Sequence, residues 1–205
     1  MIDTKKLEAF AAAARTQLLA EVEARLRAAL APASTARVEA PGAVGELEDA
    51  IARHGGGREG RRRIVEEQAY AWFNRIIALR FMDANRCTPT PVVSPEAGRA
   101  SGQPAVLAAA KRGEFDPDVF TRPAQVERIT GLLDGTLTSH DAQGEAYGLI
   151  LAAHCAFWHR AMPFMFAADG SFTSLLMPGA TCWPTARCGP RRSRPSRSRT
   201  ARTSR

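Results

Sequence analysis

The chain has 205 residues, 45% of them apolar and 24% charged, which fits one globular domain with a real core and gives no reason to expect a disordered polypeptide. Its formal charge of +7 is unevenly placed: residues 180–205 hold eight arginines and no acid, leaving 20 basic against 21 acidic residues elsewhere. Total charge is therefore no argument for nucleic-acid binding by the body of the chain, only by the tail.

Asp3 is an N-cap candidate for a helix to about Leu30, with Leu7, Phe10, Ala14, Leu18, Val22, Leu26 and Leu30 spaced three and four apart. Ala31 to Gly45, rich in Ala, Pro, Ser and Gly, reads as a connection, and Glu46 to His54 as a short helix ended by Gly55-Gly56-Gly57. Glu59 to Arg86 carries the strongest local signal. Val65, Ala69, Trp72, Ile76 and Leu79 make one apolar stripe, and Phe73, Ile77 and Phe81 widen it, as for a central helix packed on more than one side.

Pro89, Pro91 and Pro95 make Cys87 to Gly102 a loop. Gln103 to Arg112 reads as a short helix closed by Gly113, and Glu114 to Asp118 as a turn. A further helix begins near Pro123, in the first-turn position proline tolerates best, and ends near Gly135. Asp141 to Met162 is another long helix, stopped or bent by Pro163. Met165–Phe166 and Phe172–Met177 are apolar without a clear period, and are candidate short strands or edges of a following domain. The expected fold class is mainly α: a helical bundle-like N-terminal domain over 1–178, then a disordered basic C-terminal tail over 179–205.

No apolar stretch reaches the ~20 residues a bilayer crossing needs, and Met1–Lys6 is polar, so a cytoplasmic location without a membrane partner is expected. Cys87, Cys155, Cys182 and Cys188 lack CxxC spacing and read as reduced thiols.

Three local patterns carry candidate chemistry. Gly55-Gly-Gly-Arg-Glu-Gly60 matches GxGxxG, but follows a helical pattern where a dinucleotide or S-adenosylmethionine turn needs a buried strand, so a helix connector is the alternative. Cys155 and His159 stand four apart, near enough on one helical face to share a metal. Two ligands do not make a site, and a core cysteine beside a hydrogen-bonded or partly exposed histidine is the competing reading. Arg61, Arg62 and Arg63 are candidate contacts to DNA phosphates, set against a solvated face neutralised by Glu66 and Glu67. No GxSxG, HExxH, P-loop, paired-carboxylate or NPPY pattern is present, so no catalytic, cofactor-binding or metal residue is assigned.

Several strings together resemble a known family. Tyr70-Ala-Trp72-Phe-Asn-Arg75-Ile-Ile-Ala-Leu79-Arg80-Phe81-Met82-Asp83-Ala-Asn85 is followed by Val92-Val-Ser-Pro95, by Gln103-Pro-x-x-Leu-Ala-x-Ala-Lys-x-Gly, and by Trp158-His-x-x-Met-Pro-Phe-Met165-Phe. With the opening Met1-Ile-Asp-Thr-Lys-Lys-Leu, these resemble, in collinear order over about residues 1–178, the N-terminal region of the BREX phage-defence adenine-specific DNA methyltransferase. The resemblance implies an enzyme that moves a methyl group from S-adenosylmethionine to adenine N6. The base is flipped out of the duplex and held by NPPY or NPPF, with DNA and other phage-defence proteins as partners. In that family the glycine cofactor motif and the tetrapeptide follow the region seen here. No catalytic residue carries over, and the expectation for this chain is an inactive N-terminal part that binds no cofactor by itself.

After Leu175-Leu-Met-Pro178 the sequence departs from that pattern. Read from the last base of the Ala180 codon, the Thr181–Cys188 codons can encode Asp-Leu-Leu-Ala-Asp-Gly-Ser-Val, the second Leu and the Ala being forced by Cys182-Trp183-Pro184. A frameshift near Gly179 is the hypothesis, and GC-rich codons read out of frame account for the Arg, Ser, Thr and Pro of the tail. The competing functions are a stand-alone helical nucleic-acid or protein binding module with a basic tail and a small metal enzyme using Cys155 and His159.

Overall fold

A computed structural model of the chain describes residues 4–96, 102–139, 141–166 and 171–179. The Asp3 cap, the Leu7 side chain, Cys182, Cys188 and the arginine-rich tail from residue 180 lie outside the described residues. Among those described the fold is mainly α, with eight helices and no strand.

Helix α1 (Thr4–Ala29) follows its periodicity, with Ala14, Leu18, Val22 and Leu26 buried along one face. The stretch read as a connection departs from expectation, because it holds α2 (Thr35–Glu39) and the first turn of α3 (Pro41–Arg53). Pro41 takes the first-turn position, where its missing N–H costs nothing. The small Ala43 is buried, so it serves packing where its size suggested a linker. Ser34 caps α2 by accepting from the Ala36 N–H at 3.2 Å. Arg37 then ties the segment together, donating to the Leu30 and Ala31 carbonyls and pairing with Glu48 at 2.6 Å.

Gly55, Gly56 and Gly57 all have positive φ, the region where a side chain is strained. They turn the chain from α3 into α4 (Gly57–Ala84), and the Gly56 N–H closes on the Ile51 carbonyl at 2.9 Å. Gly60, the last glycine of the GxGxxG match, faces that same carbonyl so closely that a Cβ there would collide with it. Gly60→Ala is therefore expected to destabilise the domain by about 1–3 kcal/mol through overpacking, although alanine is favoured over glycine in a free helix by ~1 kcal/mol. Urea unfolding measures this, and a variant as stable as the parent would show that α3 and α4 are not in close contact.

On α4 the predicted stripe of Val65, Ala69, Trp72, Ile76 and Leu79 is buried against α1 and α3. The predicted widening is not. Ile77 and Phe81 are exposed and Phe73 is half-buried. At 3.6 residues per turn Phe81 lies roughly half a turn round from Leu79, so it joins the opposite face and not the core.

The second half pairs α6 (Pro123–Leu133) with α7 (Ala142–His159), and α5 (Ala105–Lys111) bridges the two. Asp141 caps α7 by accepting from the Gly144 N–H at 3.0 Å. The segments held open as strands are not strands: Met165–Phe166 lies in a tight turn, and Phe172–Leu175 is the short helix α8, which returns to α1 and α3. Their apolar character is used in the core, where Phe166 and Leu176 are fully buried. One continuous cluster joins Leu18, Val22 and Leu26 of α1 through Trp72 and Leu79 to Ile129, Tyr147 and Ile150. Among the described residues no helix is long and apolar enough to cross a membrane.

Candidate functional site

Arg61, Arg62 and Arg63 sit exposed on the first turns of α4, but their charges are not equally available. Arg62 donates to Glu59 at 2.8 and 3.1 Å and to Glu66 at 2.8 Å, and Arg63 donates to Glu59 at 3.1 Å. These hydrogen bonds hold the Glu59 carboxyl down to about 2. Glu67, expected to share in the neutralisation, instead faces His54 at 3.5 Å. Arg61 has no ion pair among the described residues. An anion approaching the run thus meets one uncompensated cation.

The densest polar arrangement lies at the other end of α4. Asp83 is buried, and its Oδ1 accepts from the Val92 N–H at 2.8 Å and the Thr88 hydroxyl at 3.2 Å. Its Oδ2 accepts from the Val93 and Ser94 N–H groups at 3.0 and 2.9 Å. Charge-assisted bonds of this kind are about twice as strong as neutral ones, and here they strap the proline-rich loop to the end of α4. The strapped loop then holds α5, whose Ala105 and Val106 N–H groups donate to Ser94 and Pro91 at 2.9 and 3.1 Å. It also holds α7, whose Tyr147 hydroxyl donates to the Val92 carbonyl at 3.2 Å.

A second tie uses Arg75, which lies over the Trp72 ring at 4.9 Å and donates through Nε to the Met165 carbonyl at 3.1 Å. Burial pulls its pKa below the ordinary value, and its Nη1 has no hydrogen-bond partner. The candidate metal pair resolves into two separate tasks. Cys155 is buried and its thiol is pushed up to about 12 by burial, which holds it as a neutral packing group. His159 directs Nδ1 to the Phe166 carbonyl at 2.8 Å and so closes the turn after α7. Among the described residues no three His, Cys, Asp or Glu side chains are grouped to hold a metal ion.

One histidine the sequence reading passed over is buried in α7. His154 packs edge-on to Phe120, with ring centroids 6.0 Å apart, and lines a cavity of about 30 Å³ together with Thr90, Asp116 and Ile150. Its Nδ1 has no partner, and burial lowers its pKa to about 4 despite the nearby Asp116 and Asp83. An open cleft of about 610 Å³ between α1, α6, α7 and the segment after α8 is rimmed by Arg25, Arg122 and Arg128, with Glu145 among them. Arg128 is tied there to Glu39 at 2.9 Å.

Compared with known proteins, the chain matches no family model, no curated protein and no solved structure.

The Gly55–Gly60 turn does not have the form of an S-adenosylmethionine cradle. The GxGxxG turn joins two helices, and Gly60 is pressed on a helix carbonyl, so no strand-to-helix cradle exists there for a ligand. Asp83, Arg75, Tyr147 and His159 each bond to the backbone of another segment, Asp83 and His159 to nearby loops and Arg75 and Tyr147 to remote ones. Of these only His159 was singled out by spacing. Asp83 and His154 did leave a signal, as polar residues continuing the buried rows Ile76–Leu79 and Tyr147–Ile150–Leu151.

Proposed function

We propose that this chain is the helical N-terminal region of an S-adenosylmethionine-dependent adenine-N6 DNA methyltransferase of the BREX phage-defence type, acting as a scaffold and not as a catalyst. The observation that carries this is the collinear series of strings from Tyr70-Ala-Trp72 to Met165-Phe166. Its support from the fold is that the strings meet: Asp83 receives the Val92-Val-Ser segment, that segment receives α5, and Arg75 holds Met165. The resemblance therefore falls on residues that set the mutual positions of helices, as expected of a region whose chemistry is supplied elsewhere. In this reading the chain is cytoplasmic, its partners are DNA and other proteins of the defence system, and Arg61 is the residue of its run best placed to reach a phosphate.

The test is the DNA beyond the Pro178 codon. An alternative frame there is expected to encode a glycine-containing cofactor loop and an NPPY or NPPF tetrapeptide, and the purified 205-residue chain is expected to transfer no methyl group to DNA. Absence of both motifs from every downstream frame would overturn the proposal, as would methyl transfer by the chain alone.

A further inference from the structure

His154 of α7 is 5% exposed, and neither nitrogen of its ring hydrogen-bonds to any described residue. Nδ1 is fully enclosed, whereas Nε2 keeps some accessible surface. A neutral imidazole carries one N–H donor and one bare acceptor nitrogen, so the N–H belongs on Nε2, where a partner can reach it. The ring borders the cavity of about 30 Å³, whose other polar side chains are Thr90, Glu114 and Asp116. Glu114 is committed to Arg112 at 2.9 and 3.0 Å. The Thr90 side chain makes no hydrogen bond to a described residue, and Asp116 spends its Oδ1 on the Asp118 N–H at 3.0 Å while its charge reaches His154.

We propose that this cavity is a structural water site, in which one water joins His154 of α7 to Thr90 of the proline-rich loop and to Asp116 of the turn before α6. Size decides the class of ligand. A water needs about 10–15 Å³ of such space and two to four polar partners. The cavity supplies the room, and His154, Thr90 and Asp116 supply the partners. An organic ligand needs roughly 300 Å³ or more, and among the described residues no three His, Cys, Asp or Glu side chains are grouped to hold a metal ion. The bonds follow from what each partner can do. The Nε2–H donates to the water oxygen, because the carboxylate of Asp116 can only accept. The water then donates one proton to Asp116 Oδ2 and the other to the Thr90 hydroxyl oxygen. Three segments far apart in sequence are thereby tied at one point, and the polar edge of a buried ring gains the partner that its apolar neighbours Phe120 and Ile150 cannot give.

A crystal structure of the full chain, paired with nitrogen NMR of its histidine rings in solution, tests this. The expected density is a single water about 2.7–3.2 Å from His154 Nε2, from the Asp116 carboxylate and from the Thr90 hydroxyl. In solution at neutral pH the His154 ring is expected to be the Nε2–H tautomer, with magnetisation passing between that proton and water. His154→Leu removes the donor and is expected to lose the water from the density. Should that variant fail to fold, the parent crystal and its NMR spectrum still decide. Four results would each overturn the proposal: an empty cavity, a direct bond from Asp116 to the His154 ring, an ion in place of the water, or a ring protonated on Nδ1 instead of Nε2. A water that persists unchanged in His154→Leu would do so as well.

Discussion

Replacing Asp83 by alanine is expected to destabilise the domain by about 3–5 kcal/mol, a large part of the ~5–15 kcal/mol that holds an ordinary domain folded. The substitution removes the acceptor of three backbone N–H groups, of which those of Val92 and Val93 are buried and have no second partner to turn to. A buried donor left unmade costs about 1–3 kcal/mol, and the Thr88 hydroxyl loses its acceptor as well. Asparagine should rescue little. Each carboxylate oxygen serves two donors, so an amide that keeps one oxygen must aim its NH2 group at the N–H groups that were bonded to the other. Urea unfolding of Asp83→Ala and Asp83→Asn, with hydrogen exchange at the Val92 and Val93 amides, measures both effects. A loss below about 1 kcal/mol, or protected amides in the alanine variant, would mean that the loop is held by something other than this carboxylate.

Stability is expected to fall as the solution is acidified from about pH 6.5 to pH 4, and His154 is the reason. Burial lowers its pKa to about 4 from the ordinary 6.5, so within that window the unfolded chain takes up a proton that the folded chain refuses. More protons bound by the unfolded state means that stability rises with pH across the window, is fully present above it, and is lost as pH falls through it. The shift corresponds to something on the order of 3 kcal/mol. Glu59, held down to about 2 from 4.5, loses its contribution lower still, so the two titrations are separated on the pH axis. The check is urea unfolding at several pH values for the parent and for His154→Leu. The variant is expected to lose most of this fall between pH 6.5 and pH 4, and an unchanged slope would assign the dependence to other groups.

The helices whose apolar rows repeat at helical spacing were legible in the sequence: α1, the buried face of α4, α6 and α7 all stand within a few residues of their expected limits. Two features were not. The start of α3 is made of Pro, Gly, Ala and Val, and the same small residues that resemble a linker in composition are what let one helix lie close on another, as Gly60 does opposite Ile51. The apolarity of Ile77 and Phe81 points to the core, but their positions on the helical wheel oppose Trp72 and Leu79. The polar interior was hidden for a different reason. Asp83 finds its backbone donors 9–11 residues further on and Arg75 finds its acceptor 90 residues away, separations that no local spacing rule contains.

The return of α8 to α1 bears on how the domain is made. Leu176 is fully buried, and the Gly179 N–H donates to the half-buried Glu21 carboxylate at 2.9 Å. Helix α1 is therefore completed late, since one of its partners is synthesised some 150 residues after it. Until the α8 segment emerges, α1 and α3 lack a cover that the finished domain gives them. A chain stopped ahead of Leu176 would leave that apolar surface open, and with it a route to aggregation and proteolysis.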